Sequence, residues 1–312
     1  RIGKGIIVVN NQAIADYDGA LSWDNNNKVS VVKMLTINGD VDFSVGNIDF
    51  PGKVLVTGNV LEGFKVYAND DIEIRGGVDN AEVLSRTGSV SVQKGVIGRG
   101  KAVICAHKNV EAKFIQEAAV TAGQNVVVNE YIIRCDVKAG NSVLIQGRKG
   151  RIMGNNSITA KTKIKASQIQ NSQGLHLVVE GIERQQYYGR IKELNKLIND
   201  LERTLAKMTA EIRQLKDKTD NPATLARLQT LLPQYLQTEE ELDELTEERN
   251  LLSKILKETR GDGMIEIGSG LEPGMCLTIK DESININQDT RQLSMFFDPD
   301  EKRIKILGAK TR

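Results

Sequence analysis

The chain is poor in the residues from which cofactor and metal sites are usually built. Aromatic residues make up 4% of its 312 positions, with a single tryptophan, Trp23, which we expect to be a packing residue. The three cysteines are far apart in the sequence, and no two of them form a CxxC motif: Cys105, Cys135 and Cys276. This argues against a disulfide framework or a zinc ribbon. We expect all three to be small buried side chains in a reducing compartment.

Histidine, net charge and long apolar runs are also scarce. The only histidines are His107 and His176, and although Cys105 lies two residues before His107, one cysteine and one histidine do not complete a metal site, so no metal and no cofactor is expected. A formal net charge of +1 gives no general attraction to nucleic acid. No segment approaches the roughly 18 apolar residues of a membrane-spanning helix, so membrane insertion is not expected. Because the sequence begins with Arg1 rather than methionine, we expect a piece of a longer protein.

What the sequence does contain is a repeat of the form apolar, any, small, a short link, then apolar, any, apolar. The copies are separated by 17, 21, 16, 17 and 21 residues and begin at Val66, Val83, Ile104, Val120, Val137 and Ile158. Each holds two short strands with one apolar face, joined by a link rich in Gly, Asn and Asp. Such a unit cannot bury its own apolar face, but stacked units can.

The repeat therefore predicts a parallel β-helix over 35–180, preceded by an N-terminal β segment at 1–34. The small residues would form a ladder at one corner: Ala68, Ser85, Ala106, Ala122, Ala139 and Ala160. A left-handed β-helix is the alternative, but it favours a rigid six-residue rhythm. The variable spacing favours the right-handed form.

The pattern changes at about Glu183, and we assign 181–260 to an antiparallel coiled-coil hairpin. Apolar residues spaced by three and four form a heptad seam in the first helix: Ile191, Leu194, Ile198, Leu201, Leu205, Met208, Ile212 and Leu215. The second helix, from about Ala223 to Glu258, has near-heptad positions at Leu225, Leu228, Leu232, Tyr235, Leu242, Leu245, Leu252 and Leu256. We expect the acidic run from Glu239 to Glu248 to lie opposite Lys192 and Lys196. Pro233 should kink this helix.

Residues 261–312 alternate again, and we predict a C-terminal β segment that returns to the β-helix and caps an end. A long two-helix hairpin adds little to the core of a β-helix. We therefore expect it to bind a protein partner or a second copy. The predicted contact is its mixed-charge tip, with Lys216, Asp217, Lys218 and Asp220; the oligomeric state stays open.

Candidate chemistry is sparse along the β-helix. Carboxylates at predicted turns could form an acid–base pair or a cation site, although turns favour Asp for backbone reasons: Asp40, Asp42, Asp49, Asp70 and Asp71. The glycine-rich segment GRKGRIMG could bind an anion through Arg148, Lys149 and Arg151. It lacks the order of a P-loop, and a solvated basic turn is the competing interpretation.

Two long segments resemble the flagellar assembly protein A family. They are INGDVDFSVGNIDFPGKVLVTGNVLEGFKVYANDDIEIRG at 37–76 and NVEAKFIQEAAVTAGQNVVVNEYIIRCDVKAGNSVLIQGRKGRIMG at 109–154. The order of parts is similar too: β-helix, coiled-coil insertion, short β return. The resemblance implies a cytoplasmic bacterial protein linked to flagellar assembly or placement, without catalytic residues to transfer. One departure is Ala68-Asn69-Asp70-Asp71-Ile72, where the family often has AGGDI.

Two functional hypotheses follow from these observations. The first is a non-enzymatic scaffold that binds other proteins through the β-helix and the hairpin. The second is a β-helix that binds or cleaves polysaccharide. Few aromatics and no evident carboxylate cluster favour the first.

Overall fold

A computed structural model describes residues 5–9, 12–16, 19–23, 29–148, 150–170, 174–216 and 222–311. The chain forms a mainly β structure, a β-solenoid of about eight turns with two helices inserted. Two compact units are present, Arg1–Ile182 with Gly261–Arg312, and Glu183–Arg260.

The strands before the helices are short and closely spaced. They are β1 (Ile6–Val9), β2 (Gln12–Ala15), β3 (Ala20–Trp23), β4 (Val29–Val32), β5 (Met34–Ile37), β6 (Ile48–Phe50), β7 (Lys53–Val56), β8 (Lys65–Ala68), β9 (Ile72–Ile74), β10 (Gly77–Asp79) and β11 (Glu82–Ser85). They continue with β12 (Val90–Val92), β13 (Gly95–Ala106), β14 (Val110–Ala122), β15 (Asn125–Ile133), β16 (Asp136–Ala139), β17 (Ser142–Ile145), β18 (Arg151–Met153), β19 (Ser157–Ala160), β20 (Lys163–Ala166), β21 (Gln168–Gln170) and β22 (His176–Val179).

The helices and the remaining strands complete the chain. They are α1 (Arg184–Lys216), α2 (Pro222–Glu258), β23 (Met264–Ile267), β24 (Cys276–Ile279), β25 (Glu282–Asn285), β26 (Thr290–Asp298) and β27 (Arg303–Thr311). The N-terminal segment forms two antiparallel hairpins, β1 with β2 and β3 with β4.

Each turn of the solenoid has three sides, named here A, B and C in chain order. Side A is a parallel stack that runs from Leu35 through Val54 and Ile72. Side C runs from Ile48 through Val66. Between them lies side B, which begins as isolated parallel bridges joining Val41, Val60 and Val78 and continues as β-strands. The repeat predicted sides A and C; side B was not predicted.

The interior is filled by Val and Ile from all three sides. Val54, Val60 and Val66 are each 0% exposed, as are most of their counterparts in later turns. Burying one such side chain contributes about 1.5–3 kcal/mol, and each turn supplies several. The predicted small-residue ladder is confirmed: its members are all buried and pair in register from Ala68 to Ala160.

The helices interrupt the solenoid without disturbing its register. Ile164 pairs with Ile265 and Leu177 with Leu277 across the insertion, both in parallel. The ends of the insertion lie side by side, because Ile182 N–H donates to Asp262 O at 2.7 Å. Then β25, β26 and β27 pair antiparallel and close the described chain.

The helical unit joins α1 and α2 through the predicted seam, with one correction; the side chain of the predicted seam residue Leu225 lies outside the described part. Leu194 and Ile198 are 0% and 5% exposed, and the other seam residues of α1 are half-buried. In α2, Leu231 is 2% exposed whereas Leu232 is 45% exposed. The prediction for Leu232 was wrong: adjacent leucines lie about 100° apart on a helix, and the neighbouring one enters the seam. α2 continues through Pro233.

Candidate functional site

The turn carboxylates are engaged by neighbouring coils. Asp71 Oδ1 accepts from Ser89 N–H at 2.9 Å, and its Oδ2 lies 3.2 Å from Lys53 Nζ. The Ser89 N–H, followed by Lys53, lowers the pKa of Asp71 despite partial burial. Asp49 forms a two-pronged pair with Arg86 at 2.8 and 3.0 Å, and that guanidinium lowers the pKa of Asp49. These groups hold coils together.

The remaining predicted carboxylates have comparable local roles. Asp40 Oδ1 accepts from Asn59 N–H at 2.6 Å, and Asp42 Oδ1 accepts from Ser44. Ser44 lowers the pKa of Asp42 through these bonds. Asp70 has an exposed side chain, and its backbone carbonyl accepts from Ser85 Oγ at 2.8 Å. Four of the five carboxylates thus each have their own local partner, and the fifth, that of Asp70, is exposed.

A ladder of amides continues this pattern at the corner between sides C and A. Asn125 Nδ2 donates to Asn109 Oδ1 at 2.9 Å, and Asn141 Nδ2 donates to Asn125 Oδ1 at 2.8 Å. Thr162 Oγ1 then donates to Asn141 Oδ1 at 2.8 Å. Ser142 Oγ adds a 2.6 Å bond to Asn125 Oδ1. Buried polar groups require such partners, and here the partners come from adjacent coils.

The basic turn is described only in part. Arg148 is exposed, Lys149 lies outside the described residues, and Gly150 N–H closes the turn on Gly147 O at 2.7 Å. Arg151 is half-buried in β18, and its Nε is buried with no hydrogen-bond partner among the residues that the structure describes. Anion binding at this turn therefore stays a prediction.

Two aromatic rings stack along side B next to Arg151. Phe114 and Tyr131 lie 5.0 Å apart between ring centroids with an interplanar angle of 11°. The Phe114 ring also lies against Gly95, where an added Cβ would come within 2.8 Å of it. Tyr131 is followed in register by Arg151. The two faces of the Phe114 ring are thus covered by protein.

The outer surface of α2 carries charge that the helical pair does not neutralise. A shallow depression is lined by Leu236, Glu239, Glu240, Asp243, Glu244 and Glu247. Leu236 is 61% exposed. None of the five carboxylates forms an ion pair in the described segments. We call this set the acidic stripe.

The acidic run from Glu239 to Glu248 lies level with the stretch of α1 that carries Lys192 and Lys196, because Glu248 pairs with Arg190, but neither lysine forms an ion pair with the run in the described residues. The ion pairs between the helices are Arg190 with Glu248 at 2.8 Å and Arg227 with Glu211 at 2.7 Å. The cause is helical geometry: Leu194 and Ile198 follow the two lysines by two residues, about 200° around the helix. Since those leucine and isoleucine side chains face α2, the lysines face away.

Several other candidates can now be placed. Lys216 ends α1 with its side chain outside the described part, and Asp217, Lys218 and Asp220 lie outside it altogether. The side chain of Trp23 is likewise outside the description.

The cysteines and histidines do not assemble into a site. Cys135 is buried and Cys105 half-buried, but Cys276 is exposed in the strand that begins with it, which corrects the expectation of three buried thiols. Burial raises the pKa of the Cys135 and Cys105 thiols, which disfavours the reactive thiolate. His107 and His176 are exposed. Across the described ranges no group of three metal-ligating residues is found.

The acidic run was recognised from the sequence, but its outward direction and the exposed Leu236 beside it were not. Its signal was present in Leu236, which lies off the heptad seam, and in the run of five acids within one helical face.

Among the described helices, neither is apolar enough over a sufficient length to cross a bilayer.

Comparison with known proteins identifies the fold family. No curated protein and no solved structure matches the chain. The model of the Flagellar Assembly Protein A β-solenoid domain matches residues 33–304, which include all three solenoid sides and the inserted helices. The chain belongs to the Flagellar Assembly Protein A β-solenoid family.

Proposed function

We propose that this protein is a non-enzymatic scaffold or adaptor that supports bacterial flagellar assembly or placement from the cytoplasm. Family membership over 33–304 is the observation that carries the proposal. The chemistry of the described surface agrees with it. The turn carboxylates and amides stabilise coil stacking, whereas the acidic stripe on α2 has no ion-pair partner in the described residues.

The proposal includes a right-handed solenoid and an antiparallel coiled-coil hairpin as its two binding elements. The variable coil length supports the handedness. The cross-helix contacts support the hairpin, because Arg190 meets Glu248 and Glu211 meets Arg227: positions that advance along α1 meet positions that recede along α2. Contact with other proteins would use the outer surfaces of both elements.

The test is made in a flagellated bacterium that encodes this protein. Its gene is replaced by one in which a short Gly-Ser link substitutes for 183–258, and flagella are counted and located by electron microscopy. We expect fewer or misplaced flagella at unchanged protein level. Normal flagella in cells that lack the whole gene would refute the role in assembly.

The polysaccharide alternative has its own measurement. Purified protein is incubated with acidic and neutral polysaccharides, and reducing ends and bound sugar are measured. Release of reducing ends that is lost on substitution of a turn carboxylate such as Asp49 would replace the scaffold proposal.

A further inference from the structure

The helical unit carries a basic stripe as well as the acidic one. The basic stripe lies on α1, is exposed along its length, and consists of Lys192, Lys196, Arg203 and Lys207. These residues are spaced by four, seven and four, so they share one face of the helix. In the described residues the only ion pair of this stripe is the local one between Arg203 and Asp200 at 3.7 Å.

Both stripes face away from the seam. Leu242 and Leu245 are half-buried in the pair and follow Glu240 and Asp243 by two residues, about 200° around α2. The same offset separates the lysines of the basic stripe from Leu194 and Ile198. The two stripes therefore lie on opposite outer sides of the helical pair, where they cannot neutralise each other within one chain.

Each stripe is also unfavourable alone. Glu240, Asp243, Glu244 and Glu247 repeat like charges at spacings of three and four, which destabilises a helix. A neighbouring row of cations would remove this repulsion. Leu236 at the end of the acidic stripe could pack on the aliphatic part of a long basic side chain.

We infer that the acidic stripe on α2 of one copy binds the basic stripe on α1 of a second copy. The inference rests on the proposed role of the helices in protein–protein contacts and on their antiparallel pairing. With two copies side by side in the same direction, that pairing places Lys192 and Lys196 level with Asp243 and Glu247. The acidic stripe spans about 16 Å of α2 and the basic stripe about 22 Å of α1.

The contact joins two different surfaces, so it is heterologous. One copy in a pair leaves its acidic stripe free and the other leaves its basic stripe free. Such an arrangement extends to further copies rather than stopping at two. Because exposed charges supply most of the complementarity, salt should dissolve the assembly.

The test uses the full chain and two charge-reversed variants, measured by sedimentation velocity over a range of protein concentrations. The acid-reversed variant carries Glu240→Lys, Asp243→Lys and Glu247→Lys. The base-reversed variant carries Lys192→Glu, Lys196→Glu and Lys207→Glu. A control with the same charge change as the acid-reversed variant, placed outside both stripes, carries Glu111→Lys, Glu258→Lys and Asp281→Lys, at exposed positions.

We expect the unmodified chain and the control to assemble with rising concentration at about 0.01 M salt, where the Debye length is about 30 Å, and to separate at about 1 M. Each reversed variant should stay single-copy alone, because like charges then meet. An equal mixture of the two should assemble again, since each supplies the sign that the other lacks. Recovery in the mixture also shows that both variants are folded.

Three results would overturn the inference: an unmodified chain that stays single-copy at low salt, reversed variants that assemble alone, or a mixture that stays dissociated although both variants keep their helical circular dichroism. The flagellar experiment is independent of all three. If flagella depend on 183–258 while the chain stays single-copy, self-association is rejected and the role in assembly stands. If the chains assemble while cells that lack the gene have normal flagella, self-association stands and the role in flagellar assembly is rejected.

Discussion

A side chain in this solenoid is constrained by its equivalents one coil below and one coil above. Ala139 pairs in register with Ala122 and Ala160, and all three are buried. The adjacent residue Lys138 points outward and is exposed. Tolerance to substitution should therefore alternate along each strand, since inward positions have neighbours on both sides and outward positions do not.

Ala139→Leu tests this constraint. Extra methylene groups at a stacked corner should lower the free energy of unfolding by about 1–3 kcal/mol or more, read from urea denaturation. The control Lys138→Ala should change it by no more than about 0.5 kcal/mol. Equal urea midpoints for Ala139→Leu and the unmodified chain would contradict the stacked corner.

A buried ion pair lies where the solenoid resumes after the helices. Lys280 Nζ is 2.8 Å from Asp262 Oδ2 and 5.1 Å from the Phe297 ring centroid, and the two charged side chains are 17% and 4% exposed. Lys280→Met should destabilise the chain by about 3–5 kcal/mol, because it leaves a buried carboxylate uncompensated. Lys53→Met, which removes the half-exposed pair with Asp71, should cost about 1 kcal/mol or less. Similar losses of unfolding free energy for Lys280→Met and Lys53→Met would show that burial of an ion pair does not decide its contribution to stability.

Polar ladders join the strands where the chain turns. Asn125 is central, because its amide oxygen accepts from Asn141 and Ser142 while its nitrogen donates to Asn109. Asn125→Ala should cost about 1–3 kcal/mol, the penalty for leaving partly buried partners unsatisfied. Gln124→Ala, at the preceding turn residue, is the control with which the effect of Asn125→Ala is compared. Thermal unfolding followed by circular dichroism measures both, and an unchanged midpoint for Asn125→Ala would show that water replaces the ladder.

The contacts of Asp71 with Ser89 and Lys53 on neighbouring coils predict a pH effect. The pKa of Asp71 is lowered by the Ser89 N–H and by Lys53, so the folded state binds a proton less readily than the unfolded state. The stabilisation is then present above the ordinary Asp pKa of about 3.9 and is lost as pH falls through the folded-state pKa. The difference in unfolding free energy between the unmodified chain and Asp71→Asn should shrink between about pH 6 and pH 2. Asp281→Asn, at an exposed turn, is the control. A difference between the unmodified chain and Asp71→Asn that does not change with pH would show that Asp71 is not the source of this stabilisation.

An element could be predicted from the sequence when it extends over enough residues to show a period. Sides A and C were predicted because their strands show two-residue alternation beside a small residue, as in Val137, Ala139 and Val143. Side B was missed because it begins as single bridges at Val41 and Val60, too short to show a period. The acidic run was recognised, but its outward direction was missed because the heptad pattern counts leucines without indicating which of two neighbours is buried. Contacts between coils, such as the amide ladder, depend on stacking register that no local pattern encodes.

The whole molecule combines a continuous solenoid with an insertion that leaves its register intact. Sides A and C continue across the helices, from Ile164 to Ile265 and from Leu177 to Leu277. The apolar core that stabilises the solenoid therefore does not require α1 and α2. Helices with their own seam and their own ion pairs can then diverge in surface charge without destabilising the coils.

Replacing 183–258 by a short Gly-Ser link should accordingly leave a folded, β-rich protein. The link need not be long, because Ile182 N–H donates to Asp262 O at 2.7 Å and the two ends already meet. Far-ultraviolet circular dichroism should lose its helical contribution and keep the β signal, and urea unfolding should remain cooperative. The slope of the unfolding free energy against urea should fall, since less surface is exposed on unfolding. A shortened chain that unfolds without cooperativity, or is recovered only as aggregate, would show that the helices are part of the folding unit and that the intact register on either side of them depends on their presence.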